Sequence, residues 1–415
     1  MMQRVVITGL GVVSPIGIGV SSFWKAALAG QSGISAVRAF DPFPMDGYRS
    51  RVAGQVHDFV VERYLTGGQG DRVDRYAQFA LVATKEALAD SGLRRGGNAH
   101  RVGVIVGAGM GGMVMGEREI TQLYEQRRPH RVHPNFIPVI TLNSASGIVA
   151  MAYGAKGPNL TISTACSSSA HALGQAMNAI RHGQADAIIT VGADASITPL
   201  VFAGFCSLRA LSTKFNETPE RASRPFDGAR DGFVMGEGAG ALILESLAHA
   251  KKRRARIYAE VAGYAATSEA HHMVIPQEDG TEVATTMRLA LKDAGVAPGA
   301  VDYISAHATS TTVGDAVETK AIRQVFRGRA DKLAVNAVKS MIGHTLGAAG
   351  ALAGIASTLA LQTGHVHPTL NYDNPDPACR LPGISRDPQE RKIKVALINA
   401  FGFGSNNAAV VLRAV

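Results

Sequence analysis

Cys166 lies in the run Thr164-Ala165-Cys166-Ser167-Ser168-Ser169, after the β-rich stretch Pro158 to Ser163 and before a helix expected over Ala170 to Ile180. A thiol at such a junction faces the free N–H groups and partial positive charge of a helix start, which favours the thiolate. Further along, His307 follows a strand in Ser305-Ala306-His307-Ala308-Thr309-Ser310-Thr311, and Lys339 and His344 share Lys339-Ser340-Met341-Ile342-Gly343-His344. Each has a duller explanation when taken singly. A lone cysteine is more often a buried structural thiol, a histidine a satisfied core residue, and a lysine a solvated charge. Their joint occurrence at strand ends and helix starts, in glycine-rich surroundings, points to acyl transfer. The sulfur would attack a thioester, and the imidazoles would donate to a developing enolate oxygen.

The elements that must position these groups alternate between strands and helices, which implies an α/β fold. The chain also echoes itself. Arg4 to Gly9 is matched by Arg256 to Gly263, Val102 to Gly107 by Val301 to Ala306, and Gly236 to Glu245 by Gly402 to Leu412. Between these markers Cys166 precedes one Ala/Gly-rich helix, and His344 precedes another expected over Leu346 to Leu361. A duplicated α/β unit follows, with one site built from both halves. Residues 1–255 would form the half that carries the cysteine, and residues 256–415 the half that carries the histidines and the lysine.

With 415 residues, 46% hydrophobic and 18% charged, the chain can bury a large core and is not disordered. Cys206 and Cys379 are the only other cysteines, so a disulfide framework is not expected. The N-terminus enters a strand directly without the pattern of a signal peptide, and no uninterrupted apolar run approaches membrane-spanning length, so a reduced cytoplasmic setting is expected. The net charge of +9 invites nucleic acid, anionic lipid or an acidic protein as partner. The densest basic run, Lys251 to Arg256, suits a solvated helix C-terminus. No zinc spacing, RNA-binding signature or aromatic-interleaved basic stripe supports a metal site or nucleic acid. Gly107-Ala108-Gly109-Met110-Gly111-Gly112 fits the dinucleotide fingerprint. The region that should supply its ribose-binding acid reads Arg127-Arg128-Pro129-His130-Arg131 instead, so nucleotide binding is rejected.

From Arg4 to Leu412 the sequence resembles the β-ketoacyl-acyl-carrier-protein synthases, nearest the synthase II type of bacterial fatty-acid and type II polyketide systems. The motifs that carry the resemblance are the Cys166 run, Arg224-Pro225-Phe226-Asp227 through Val234, His307 to Thr311, Lys339 to Gly350 and Phe401-Gly402-Phe403-Gly404. The resemblance implies the thiolase-like fold, two related halves in α-β-α-β-α layers, normally as a homodimer. It implies that Cys166 accepts the acyl chain from the phosphopantetheine of an acyl carrier protein, and that no other cofactor is needed. Malonyl-carrier protein would then lose its carboxylate and attack the acyl-cysteine. The N–H groups of Cys166 and Phe403 would form the oxyanion hole, and His307 and His344 would stabilise the enolate as neutral imidazoles. A helix-start position would disfavour imidazolium at His344. Lys339 would orient His344, Thr309 and Thr311 would hold the pantetheine arm, and Phe403 would be the gate. Met110 and Phe205 would line the acyl pocket, with Phe136 arriving from the other subunit. Arg209, Arg131 and Arg72 match carrier-docking positions and give the basic excess a specific reading.

The chain departs from the family pattern at several places. Asp71 and His130 stand at positions often basic, Ala308 where glycine is common, and Thr312 where proline is usual. Glu269 and Val274 replace an aspartate and a threonine, and the gate reads Gly404-Ser405-Asn406-Asn407. Ala353 occupies a helix position where elongating synthases carry a glutamate near the lysine, so water or another acid must satisfy Lys339. Two other roles compete with a condensing enzyme: a decarboxylase or hydrolase of the same fold, and a non-catalytic chain-length factor. The cysteine and both histidines speak against the second, although an active subunit of a heterodimer with a chain-length factor remains compatible with the sequence.

Overall fold

In the computed structural model, which describes residues 2–38, 40, 44–68, 70, 72–94 and 98–415, the duplication is explicit in the sheet topology. The first half supplies β1 (Val5–Ser14), β2 (Val102–Gly107), β3 (Asn159–Ile162), β4 (Ala187–Asp194) and β5 (Gly238–Ser246). The second supplies β6 (Ala259–Ser268), β7 (Tyr303–Ser305), β8 (Ala334–Asn336), β9 (Val395–Gly402) and β10 (Asn406–Arg413). From the centre outward the first half runs β1-β5-β4-β2-β3 and the second β6-β10-β9-β7-β8. In each, the first, fifth and fourth strands pair antiparallel and the remaining two join in parallel. The halves meet along a short antiparallel seam, with Val5 opposite Val261 and Ile7 opposite Ala259.

Five layers result. The helices α1 (Arg75–Ser91) and α3 (Ser144–Tyr153) cover the outer face of the first sheet, with α2 (Met113–Gln126) between them in sequence. The helices α4 (Ser168–Arg181) and α8 (Ala349–Thr363) pack on one another and touch both sheets. Beyond α5 (Pro199–Ser207), the outer cover of the second sheet is α6 (Thr281–Asp293), with α7 (Thr312–Phe326) packed against it. Every residue of β1 and β4 is buried, so these strands are mainly apolar, broken by Thr8, Ser14, Thr190 and Asp194, rather than alternating. The central helices explain the alanine and glycine richness. A Cβ on Gly350 would lie 2.6 Å from the backbone nitrogen of Ala170, so only glycine lets α8 approach α4. Leu352 and Ile355 are fully enclosed, and burial of each contributes about 1.5–3 kcal/mol.

Two sequence expectations need correction here. Leu346–Thr363 does reach spanning length, with 18 residues and a mean hydropathy of 1.3, but 89% of it is buried, as a helix between two sheets requires. The basic run is also less free than its composition suggests. The short helix Leu247–Lys252 ends there, but Arg253 is bonded to Glu245 and Arg256 stacks over Tyr258 at 4.2 Å.

Candidate active site

Cys166 sits on a tight elbow between β3 and α4. The chain reverses at Ala165, whose φ of +51° is strained for a residue with a side chain, and Ala165–Ser167 form one 3₁₀ turn before the helix. Two serines hold that turn. Ser168 Oγ donates to Ala165 O at 2.6 Å and accepts Thr164 N–H at 2.9 Å, while Ser167 Oγ donates to Thr164 O at 2.8 Å. The end of β9 lies flush against the elbow. A Cβ on Gly402 would fall 2.5 Å from Thr164 O and 3.2 Å from Cys166 N, so glycine there keeps the second half against the nucleophile.

His307 follows β7 on a loop in which Ala308 and Ser310 also take positive φ, +26° and +71°. Glu318 on α7 secures the loop, accepting from the N–H of His307 at 2.8 Å and of Ala308 at 2.7 Å, and from Asn399 Nδ2 at 2.9 Å. His344 is pinned through its backbone, donating to Val234 O at 2.7 Å and accepting from Gly236 N–H at 2.9 Å. The two imidazoles stand edge to face, with centroids 5.5 Å apart, and Phe233 meets the His344 ring at 5.4 Å. His307 Nδ1 and both ring nitrogens of His344 are buried without a hydrogen-bond partner among the described residues. Such orphaned polar atoms cost about 1–3 kcal/mol each, so they are groups kept open for a ligand.

Burial sets the protonation of the whole cluster. It holds His307 and His344 well below the ordinary imidazole range, and the nearby Lys339 charge pushes both the same way, so both rings are neutral. That corrects the helix-start explanation for His344: desolvation and Lys339 are the causes. Burial also pushes the Cys166 thiol up to about 11, against the opposing pull of Lys339 and of the N–H groups of Phe403 and Cys166 itself. The helix start therefore does not leave a resting thiolate, contrary to the sequence expectation. The attacking sulfur must lose its proton as it reacts. Lys339 is brought down to about 8 by burial, opposed first by Glu318 and then by Cys166 and Asp315. With Ala353 buried inside α8, Glu318 is the acid whose charge most favours the Lys339 ammonium, and burial raises the Glu318 pKa in turn.

One cavity of about 380 Å³ collects most of the predicted residues. Cys166, His307, His344, Thr309, Thr311, Phe403, Met110, Phe205 and Arg209 all line it, and the Thr309 and Thr311 hydroxyls are 3.1 Å apart. Lys339, only 3% exposed, lies behind the wall and does not line it. Phe136, half-buried at the start of a short helix, does not line it either, and the same holds for the exposed Arg131 and Arg72. Asp71 lies outside the described residues. The loop over Glu269 to Pro276 forms part of the wall and is latched to the gate: Gly404 N–H donates to Met273 O at 2.7 Å and Ser405 Oγ to His272 O at 3.0 Å.

Three acids escaped the sequence reading. Glu318 and Asp315 share one face of α7 with Ile322, and a buried acidic pair among apolar neighbours was the available signal. Asp194 ends β4, whose other polar side chain is Thr190. Its Oδ2 accepts from Gly109 N–H at 2.8 Å and Gly347 N–H at 2.9 Å. A carboxylate thus occupies a glycine-loop N–H group that a phosphate would need, which is the physical reason the nucleotide fingerprint fails.

The Beta-ketoacyl synthase N-terminal domain family matches residues 2–250, and the Beta-ketoacyl synthase C-terminal domain family matches residues 258–373. The chain belongs to the beta-ketoacyl synthase family. It is a condensing enzyme of the acyltransferase type with a thiolase-like α/β fold. It is 45% identical over 414 residues to the 3-oxoacyl-[acyl-carrier-protein] synthase 2 of Coxiella burnetii, covering 100% of this chain and 99% of that one. Among solved structures it is similar to a type II polyketide ketosynthase in complex with its acyl-carrier protein and bound to the hexaketide, with a TM-score of 0.92 and 38% identity over 100% of both chains. The ishigamide ketosynthase/chain length factor superposes with a TM-score of 0.91 and 35% identity, again over 100% of both chains.

Proposed function

We propose that this beta-ketoacyl synthase extends an acyl chain by decarboxylative condensation with malonyl-acyl carrier protein, in fatty-acid or type II polyketide elongation. The observation that carries the reading is the cavity in which Cys166 faces two neutral imidazoles, three of whose four ring nitrogens have no hydrogen-bond partner among the described residues. In the first step the Cys166 sulfur attacks the thioester carbonyl of an acyl-phosphopantetheine. A carbon–sulfur bond to Cys166 forms, the bond to pantetheine sulfur breaks, and the cysteine proton leaves with the departing thiol. The N–H groups of Cys166 and Phe403, which already act on that sulfur, would receive the oxyanion. In the second step the malonyl carbon–carboxylate bond breaks, CO2 leaves, and the enolate oxygen takes hydrogen bonds from His307 and His344. The enolate carbon then attacks the acyl-cysteine, and the released Cys166 sulfur takes up one proton from solvent.

Lys339 acts behind the wall on His344 and the charge of the site, and Thr309 and Thr311 hold the pantetheine arm. Met110 and Phe205 bound the acyl end, and Phe403 gates it. The phosphopantetheine arrives on the carrier protein, and the reading invokes no metal or further cofactor. Arg209 at the cavity mouth is the favoured docking charge, with Arg131 and Arg72 outside it as steering charges. The edge strand β3 exposes Leu160 at 53%, and the neighbouring α3 exposes Met151 at 72%, which supports pairing with a second chain. Phe136 would then complete the partner's pocket. Whether that chain is a copy or a chain-length factor is decided by the mass of the purified complex. Three unpaired cysteines suit a cytoplasmic setting.

The test is mass spectrometry after exposure to a mixed panel of acyl-carrier proteins. Cys166 should gain an acyl group, and Cys166→Ala should form no β-ketoacyl product while still releasing CO2 from malonyl-carrier protein. A Cys166→Ala protein that still condenses would overturn the assignment.

A further inference from the structure

Arg230 stands in the middle of the Arg224 to Val234 segment, and nothing in the condensation chemistry uses it. It is 5% exposed, yet four hydrogen bonds satisfy its guanidinium. Nε donates to Thr311 O at 3.0 Å and Nη2 to Thr312 O at 2.8 Å. Nη1 donates to Asp227 O at 2.9 Å and to Asp376 Oδ2 at 2.6 Å. The planar fork therefore grips two successive carbonyls, Thr311 at the end of the loop that carries Thr309 and Thr312 at the start of α7, and fastens them to the segment ahead of β5 and to the Asp373 to Asp376 turn. A flexible ammonium cannot reproduce that spacing.

The gripped loop needs fastening. Ala308 and Ser310 hold positive φ without being glycine, at +26° and +71°. Neighbours of Arg230 tie the same residues. Ser310 Oγ accepts from Arg224 N–H at 3.0 Å, Ser310 N–H donates to Asp315 Oδ1 at 3.1 Å, and Gly232 N–H donates to Ser310 O at 3.2 Å. Among the loop residues that line the cavity are His307, Thr309 and Thr311. His307 has a separate anchor in Glu318, whereas the Thr311 carbonyl is held most closely by Arg230, at 3.0 Å, with the Asp315 N–H at 3.4 Å.

We infer that Arg230 is a positioning residue that fixes the Thr309–Thr311 hydroxyl pair for the phosphopantetheine arm, and so sets affinity for pantetheine-borne substrates rather than the reactivity of Cys166. The inference rests on the functional reading above and deepens it. It predicts a split. Arg230→Lys keeps the buried charge but loses the two-carbonyl grip. It should raise KM for malonyl-acyl carrier protein about tenfold with kcat changed less than threefold, and leave the rate of Cys166 alkylation by iodoacetamide within twofold of the parent. Asp376→Asn, at a partner that is itself partly exposed, loosens the same guanidinium and should shift KM in the same direction by a smaller factor. It serves in place of Arg230→Lys if that protein does not fold.

Calorimetric titration with an unreactive malonyl-pantetheine amide reads the arm directly and needs no turnover. The dissociation constant should rise in parallel with KM. The inference falls if KM and amide affinity are unchanged in both variants, or if Cys166 alkylation and kcat fall as much as affinity does, which is the mark of general unfolding of the site. A parent enzyme that binds the amide but condenses nothing would defeat the functional reading alone, and the amide titration would still decide the clamp. A parent that does not bind the amide would defeat both.

Discussion

Replacing Lys339 with methionine removes a buried ammonium and keeps nearly the same length, and its consequences can be worked from the site. Burial brings the Lys339 pKa from 10.5 down to about 8, with Glu318 as the largest opposing influence. At about 1.4 kcal/mol for each tenfold change, that displacement corresponds to ~3 kcal/mol. The sign follows from proton counting. An unfolded lysine keeps its proton up to 10.5 and the folded one releases it near 8, so between these values the unfolded chain binds more protons and stability rises with pH. The stability is fully present above 10.5 and is lost as pH falls through 8. Lys339→Met lacks this titration. It should therefore be the more stable protein near pH 7, by up to about 3 kcal/mol, with the difference shrinking as pH climbs through that window. Cys166, pushed from 9.0 up to about 11, acts with the opposite sign, and losing the Lys339 pull raises it further in the variant, so the difference is cleanest below pH 9. Denaturant midpoints measured from pH 7 to 10.5 test this, alongside condensation, which should fall about 100-fold as the charge behind the imidazoles disappears. Parallel stability curves for the two proteins across that range would refute the burial argument, whatever happens to activity.

Because burial holds His307 and His344 neutral, kcat should show no acidic limb near 6.5, and activity should persist below pH 6. A limb near 6.5 that vanishes in His344→Asn would show an imidazole titrating in the ordinary range. Glu318→Gln keeps the shape of the carboxylate, but its amide can accept from only one of the His307 and Ala308 N–H groups and turns a donor on the other. The clash should cost about 1–3 kcal/mol of stability and lower the Lys339 pKa further, seen as an earlier rise in stability with pH. An unchanged melting temperature and pH profile would show that Glu318 is not the anchor of the His307 loop.

The duplication was legible because strand openings such as Arg4 to Gly9 and Arg256 to Gly263 are local apolar runs, and a sequence displays those directly. The same is true of Cys166 and His344, each placed just before an Ala/Gly-rich helix. What the sequence hid depends on depth. The thiolate expected of Cys166 followed from the helix start, which is local, whereas its raised pKa follows from two sheets closing over it, which is not. The influence of Glu318 on Lys339 was invisible because it crosses two elements and acts through charge felt at a distance rather than through spacing. Membrane length failed for a similar reason: apolar residues on every face of α8 serve an interior bounded by two sheets as well as they would serve lipid.

The topology also accounts for why one duplicated unit yields unlike chemistry from its two copies. Cys166 and His344 occupy corresponding places, each ahead of a central helix, and each helix is tied to the other half. Ser169 Oγ accepts from Ala351 N–H at 2.9 Å, and Asp194 Oδ2 accepts from both Gly109 and Gly347. The two starts are thus held at one point, and neither can move without the other. A substrate bound there meets the sulfur from one copy and the imidazoles from the other in one cavity. The arrangement leaves three ring nitrogens without partners in the resting site, which costs stability. A substrate oxygen arriving between the imidazoles recovers that cost only when negative charge develops on it, and that is the differential binding a decarboxylating step requires.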